Sequence, residues 1–124
     1  MRHLTLALDI MGGDNGPHII LSAALKALNE FPYLNLVFCG DEGVITSWLN
    51  QHSSSLSNRY SIVHCNQQVL MDDNPVTALR HKKDSSMACA IKQVHNGQAD
   101  ACVSAGNTGA LLAMACSQLK TLSG

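Results

Sequence analysis

Short apolar runs that stop at a polar or glycine-bearing loop and are followed by helical spacing recur along this chain. That alternation constrains its fold more than any other feature. Leu4-Thr5-Leu6-Ala7-Leu8 is β-compatible and enters a glycine-rich loop, residues 9–17, in which Pro17 suits the first turn of a helix and Asn15 or Gly16 its cap. Ile20, Ala24, Ala27, Leu28 and Phe31 then share one helical face, which Pro32 ends. Residues 34–39 read as a second strand, 40–43 as its exit loop and 44–51 as a helix that dissolves into Ser53-Ser54-Ser55. Residues 60–65 form a third strand candidate and 66–74 a polar loop. Asp84-Ser85-Ser86 offers capping oxygens to a helix carrying Met87, Ile91 and Val94, and Gly97 ends it. Ala99-Asp100-Ala101-Cys102-Val103 is the last β-compatible run. Strands alternating with helices predict an α/β fold, a mostly parallel sheet with helices on both faces. The strand C-termini then share one edge, where such sheets bind ligands, and loops 9–16, 40–43, 66–74 and 104–109 gather there.

Among these loops, Ser104-Ala105-Gly106-Asn107-Thr108-Gly109-Ala110 is the most informative, because the helix-prone Leu111-Leu112-Ala113-Met114-Ala115 follows directly. The first amides of a helix have no partner inside it, and Gly106 and Gly109 let another group approach the main chain. An anion such as phosphate fits that description. With roughly 1.5 kcal/mol net for a charge-assisted hydrogen bond, three amides supply about 4.5 kcal/mol, or millimolar dissociation, which suits a free phosphate substrate. The plainer reading is that Asn107 caps the helix, the glycines let it pack, and Ser104 is a turn residue.

The chain is one domain in size, and with 46% hydrophobic and 14% charged residues it can bury a core. A net charge of −1, scattered Lys and Arg and few aromatics give no face for nucleic acid. Cysteines 39, 65, 89, 102 and 116 are widely spaced in apolar segments, as expected of reduced thiols in a cytoplasm. The apolar runs at residues 4–8 and 110–116 are too short for a signal-peptide core or a membrane span.

Several constellations carry two readings. Gly12-Gly13-Asp14-Asn15-Gly16 lacks the G-x-G opening of a dinucleotide fingerprint, and no G-x-x-x-x-G-K-[ST] sequence is present, so no cofactor is expected. Ser104 lacks the preceding glycine of a nucleophile elbow, Cys102 standing in its place. Asp9 and Asp14 could form a carboxylate pair for magnesium or acid–base work, or be turn formers. The histidines show no paired-ligand spacing, and no metal is expected. Arg80-His81-Lys82-Lys83 could steer an anion toward the crevice or be a solvated loop.

Taken together, Ala7–Pro17, Met71-Asp72-Asp73-Asn74-Pro75 with residues 78–87, and residues 104–110 resemble the PlsX family, the bacterial phosphate acyltransferases of phospholipid synthesis. The similarity runs over essentially the whole chain. It implies transfer of an acyl group from acyl carrier protein to inorganic phosphate, giving acyl phosphate, on a fold akin to phosphate acetyltransferases and to the isocitrate and isopropylmalate dehydrogenases. It also implies a cytoplasmic homodimer, peripherally associated with the membrane. Asn107 and Thr108 would then be catalytic, with Ser104, Gly106 and Gly109 holding phosphate, Gly12, Gly13 and Asp14 forming the opposite wall, and Arg80 and Lys83 compensating charge. Family members are more than twice this length, so residues 1–124 correspond to an N-terminal α/β portion. Apolar positions such as Leu111, Leu112, Met114 and Leu119 are expected to need partners beyond it, and the isolated portion is expected to lack activity. Alternatives are a phosphate acetyl- or butyryltransferase using coenzyme A and a non-catalytic anion-binding module.

Overall fold

The structure, a computed structural model, describes residues 3–14, 16–52 and 58–119. Four parallel strands, β1 (Leu4–Asp9), β2 (Leu34–Gly40), β3 (Tyr60–His64) and β4 (Ala101–Val103), form one sheet in the order β3-β2-β1-β4. Helices α1 (Pro17–Glu30), α2 (Glu42–His52), α3 (Pro75–His81), α4 (Ser86–His95) and α5 (Thr108–Leu119) connect and cover it. The chain steps outward from β1 through β2 to β3, then returns to place β4 on the other side of β1. The β1/β4 junction is thus the point where the winding reverses, and a crevice opens there at the strand C-termini.

Because side chains alternate across a strand, the central strands feed two cores. Leu8, Leu36 and Phe38 point to one face and bury Leu21, Ala24 and Leu28 of α1 with Ile45 and Leu49 of α2. Ala7, Val37 and Cys39 point to the other and meet Cys89 and Ala90 of α4. The second face carries small residues, which lets α4 lie close to the sheet. Outside it, Val69, Ala78, Met87, Ala88, Ile91, Ala110 and Met114 pack α3, α4 and α5 together.

The α/β expectation holds, and three details differ. The expected loop through Arg80-His81 is instead α3, capped by Asn74, whose side chain accepts from the Val76 and Thr77 amides, and opened by Pro75. Leu21 is fully buried in α1, while Phe31 lies past the helix end and is exposed. Met114 finds its partners within this chain, being 2% exposed, whereas Leu112 is 61% exposed. Gly16 is the cap of α1 at φ 83° without a side-chain bond; Asn15, the Ser53–Ser55 turn and the Leu119 side chain lie outside the described residues. No helix among the described residues is long and apolar enough to cross a membrane.

Phe38 is fully buried with its ring centroid 5.3 Å from that of Tyr60. Phe38→Ala is expected to lower the unfolding free energy by about 3–5 kcal/mol. Leu112→Ala should change it by less than about 0.5 kcal/mol, so urea unfolding of the two variants orders them plainly.

Candidate functional site

Asp9 ends β1 with its side chain on the α4 face, 2% exposed. Ser86 Oγ, in the first turn of α4, donates to its Oδ1 at 2.5 Å, and Ser104 Oγ, just past β4, donates to its Oδ2 at 2.8 Å. Ser104 Oγ in turn accepts the Gly106 N–H at 3.0 Å. Gly12 sits directly against this group: a Cβ there would lie 2.6 Å from Asp9 Oδ2 and 3.2 Å from the Gly106 nitrogen. The loops after β1 and β4 therefore touch back to back, backbone to backbone. Gly13 has φ +89°, a left-handed conformation that favours glycine, and a Cβ there would meet the Ala105 carbonyl oxygen at 3.3 Å.

The third motif segment is brought in by Asn107. Its Nδ2 lies within hydrogen-bonding reach of the carbonyls of Leu70 (3.2 Å), Met71 (3.3 Å) and Asp73 (2.8 Å), which share its two hydrogens, and its Oδ1 accepts the Ala110 N–H at 3.1 Å. One side chain thus caps α5 and clasps the loop 66–74 over the site. Gly109 permits the fit, since a Cβ there would stand 2.8 Å from Pro75 Cγ. Loop 66–74 is further tied by Lys82, whose Nζ reaches Asp73 Oδ2 at 2.6 Å and the Gln68 carbonyl at 2.9 Å. That pairing, with the Leu70 N–H donated to the same carboxylate, holds the Asp73 carboxyl below the usual carboxylate range.

A cavity of about 220 Å³ opens between these loops, lined by Gly12, Gly13, Asp14, Gly16, Ile19, Ile20, Met71 and Ala105. Of the residues singled out in the sequence, Gly12, Gly13 and Asp14 line it, while Ser104, Gly106, Asn107 and Gly109 build the frame behind it. Thr108 opens α5, and its side chain lies outside the described residues. Two amides of the turn, Gly106 and Ala110, already donate to protein oxygens; those of Asn107 and Gly109 have no protein acceptor among the described residues.

Arg80 is exposed in the last turn of α3, and Lys83 lines a separate cavity of about 210 Å³ with Lys92, Met114 and Ser117. Neither basic side chain lines the glycine cavity.

Asp9 and Asp14 do not act as a pair: the first is enclosed by hydroxyls, the second exposed on the cavity wall. Among the described residues no group of three or more His, Cys, Asp or Glu side chains could hold a metal ion. Burial, with the neighbouring Cys89 thiol and Asp9 carboxylate, pushes the Cys39 thiol up to about 12. The Cys65 thiol is raised by its hydrogen bond to Cys89 and by burial, and Cys102 by burial and Asp9. These thiols stay protonated and serve as small apolar groups rather than nucleophiles. Sequence reasoning had no access to Ser86 as a partner of Asp9; the available signal was an acidic residue closing a strand whose preceding side chains are buried.

A family model described as fatty acid synthesis protein matches residues 4–124. The whole chain is 95% identical to a phosphate acyltransferase of Pseudoalteromonas atlantica, 54% identical to one of Shewanella amazonensis and 52% to one of Shewanella baltica. In each case the alignment covers 100% of this chain and 36% of the relative, so the chain spans about a third of the length of these curated relatives.

Two outcomes test the geometry. Gly12→Ala forces its methyl onto the Asp9 carboxylate and should destabilise the fold by about 1–3 kcal/mol, whereas Gly43→Ala, exposed in the first turn of α2 and near only Asp41 Oδ1 at 3.3 Å, should be neutral or slightly stabilising in urea. A carboxyl whose pKa is lowered on folding adds stability above the usual carboxylate range that is lost as pH falls through the lowered value. Asp73→Asn should therefore flatten the acid limb of a stability–pH profile below about pH 4.

Proposed function

The chain belongs to the fatty acid synthesis protein family, the PlsX family that its motifs resemble, and on that premise we propose that it forms the phosphate-binding part of a phosphate acyltransferase. The intact protein transfers a fatty acyl group from acyl carrier protein to inorganic phosphate, supplying acyl phosphate for phospholipid synthesis. The observation that carries this reading is the convergence of three motif loops, distant in sequence, on one glycine-walled cavity at the β1/β4 junction. A cavity of about 220 Å³ has room for phosphate and the carbonyl it attacks.

In this reading phosphate rests in the cavity against the Gly12–Gly13 backbone beside Ala105, and a phosphate oxygen attacks the thioester carbonyl carbon. As the C–O bond forms and the C–S bond breaks, the electron pair leaves on sulfur and the proton lost by phosphate goes to the carrier thiolate. Main-chain donors stabilise the developing oxyanion, and the step needs no enzyme nucleophile. Asn107 acts by holding the turn and the loop 66–74 in register, and Thr108, which follows it in the sequence, is the second residue assigned a catalytic role. Asp14 faces the cavity and orients protonated oxygens of phosphate. Arg80 and Lys83 act at longer range by raising the local concentration of anions. Acyl carrier protein, the second subunit of a cytoplasmic homodimer and peripheral membrane contacts engage the remaining length that the relatives possess.

The test uses a chimera in which this chain replaces the matching 36% of the Pseudoalteromonas atlantica relative. Asn107→Ala and Thr108→Ala should each lower kcat/KM for phosphate about tenfold or more while leaving KM for the acyl donor within about twofold. Unchanged phosphate kinetics in both would reject the site. A strict preference for acyl-coenzyme A over acyl carrier protein as donor would reject the substrate assignment.

A further inference from the structure

Asp9 does not line the glycine cavity, yet it touches both loops that do. It is almost wholly buried, and the one ion pair found among the described residues, Lys82 with Asp73, lies elsewhere. Its two oxygens are met instead by hydroxyls from different elements, Ser86 of α4 and Ser104 after β4. A hydroxyl has a single hydrogen. Once Ser104 gives it to Asp9, Ser104 can only accept, and what it accepts is the Gly106 N–H at 3.0 Å. The carboxylate thereby sets the direction of the whole Asp9–Ser104–Gly106 chain. On its other side it is the nearest atom group to where a Gly12 side chain would be, so it also limits how closely the Gly12–Gly13 loop approaches the Gly106 turn. A well-packed apolar side chain can supply comparable stability at a buried position without the desolvation cost of a carboxylate, so stability alone gives little reason for this group.

We infer that Asp9 is a positioning residue for phosphate: through Ser104 it orients the Gly106 turn, and through its contact with Gly12 it sets the gap between the two glycine loops. The inference rests on the phosphate site proposed above and concerns how that site is held. Ser86 makes the start of α4 a third support of the same group.

The chimera described above provides the test, with phosphate and acyl donor varied separately and thermal unfolding measured alongside. Asp9→Asn keeps the shape but turns one acceptor into a donor facing a hydroxyl. Ser104→Ala removes one link and leaves Ser86 in place, and Ser104→Thr restores the hydroxyl. Asp9→Asn and Ser104→Ala are each expected to raise KM for phosphate about tenfold, with KM for the acyl donor within about twofold and Ser104→Thr back to within about threefold of the parent. Variants that melt earlier yet keep the parental phosphate KM and kcat overturn the inference, since Asp9 then only stabilises. Gly13→Ala, at φ +89° on the cavity wall and outside the hydrogen-bonded chain, separates the two failures. If it raises phosphate KM while the other variants do not, the positioning role is wrong and the site stands; if none of them moves it, the site itself is wrong. Should Asp9→Asn fail to fold, the Ser104 pair decides alone.

Discussion

A carboxylate buried at the end of β1, with no ion-pair partner among the described residues, is the constraint on which the site end of this molecule depends. Two serine hydroxyls complete its hydrogen bonding, and they come from α4 and from the turn after β4. Removing either would leave an acidic oxygen enclosed without a donor, a penalty larger than the gain from an ordinary hydrogen bond. The group therefore acts as a clamp that only one arrangement of three elements satisfies. It explains why Gly12 and Gly106 lie backbone to backbone, since any side chain between them would press on the carboxylate or the turn.

A second clamp closes the same site from above. Asn107 joins the start of α5 to the carbonyls of Leu70, Met71 and Asp73, and Lys82 fastens the other side of that loop through Asp73. The loop has few apolar anchors of its own apart from Val69, so polar side chains just past the end of α3, just before α5 and in the loop itself give it shape. Loops held this way keep a cavity open where apolar packing would have filled it, and Met71 reaches the cavity wall as a result. The glycine-lined side stays bare and the Ile19–Ile20 side apolar.

Much of the fold was legible because its signals are local. Each strand is a short, largely apolar run, and a glycine or proline near β1, β2 and β4 marks the turn, so β1 through β4 and α1, α2, α4 and α5 fall close to their expected places. The helix at Pro75–His81 escaped because its Asn-Pro start was overshadowed by the basic run that follows it. Leu21 escaped because a face drawn through Ile20, Ala24 and Phe31 is rotated by about one position from the one that packs on the sheet. At the site, the glycines were legible as points of close approach, but what approaches them was not. Gly109 accommodates the Pro75 ring, and the Asn107 amide serves a loop more than thirty positions earlier.

By itself the sequence determined the alternation of strands and helices, the sharing of one sheet edge by the loops, and the places where the chain must do without side chains. These follow from periodicity, turn chemistry and the absence of a Cβ, all of which act over a few residues. Only the tertiary structure decided which polar groups face one another: Asp9 with Ser86 and Ser104, Asn107 with residues 70–73, and Lys83 on a different cavity from the glycine loops. Hydrogen-bond partners separated by 77 or 95 positions are chosen by the strand order and the helix packing, and no local pattern in the chain carries that information.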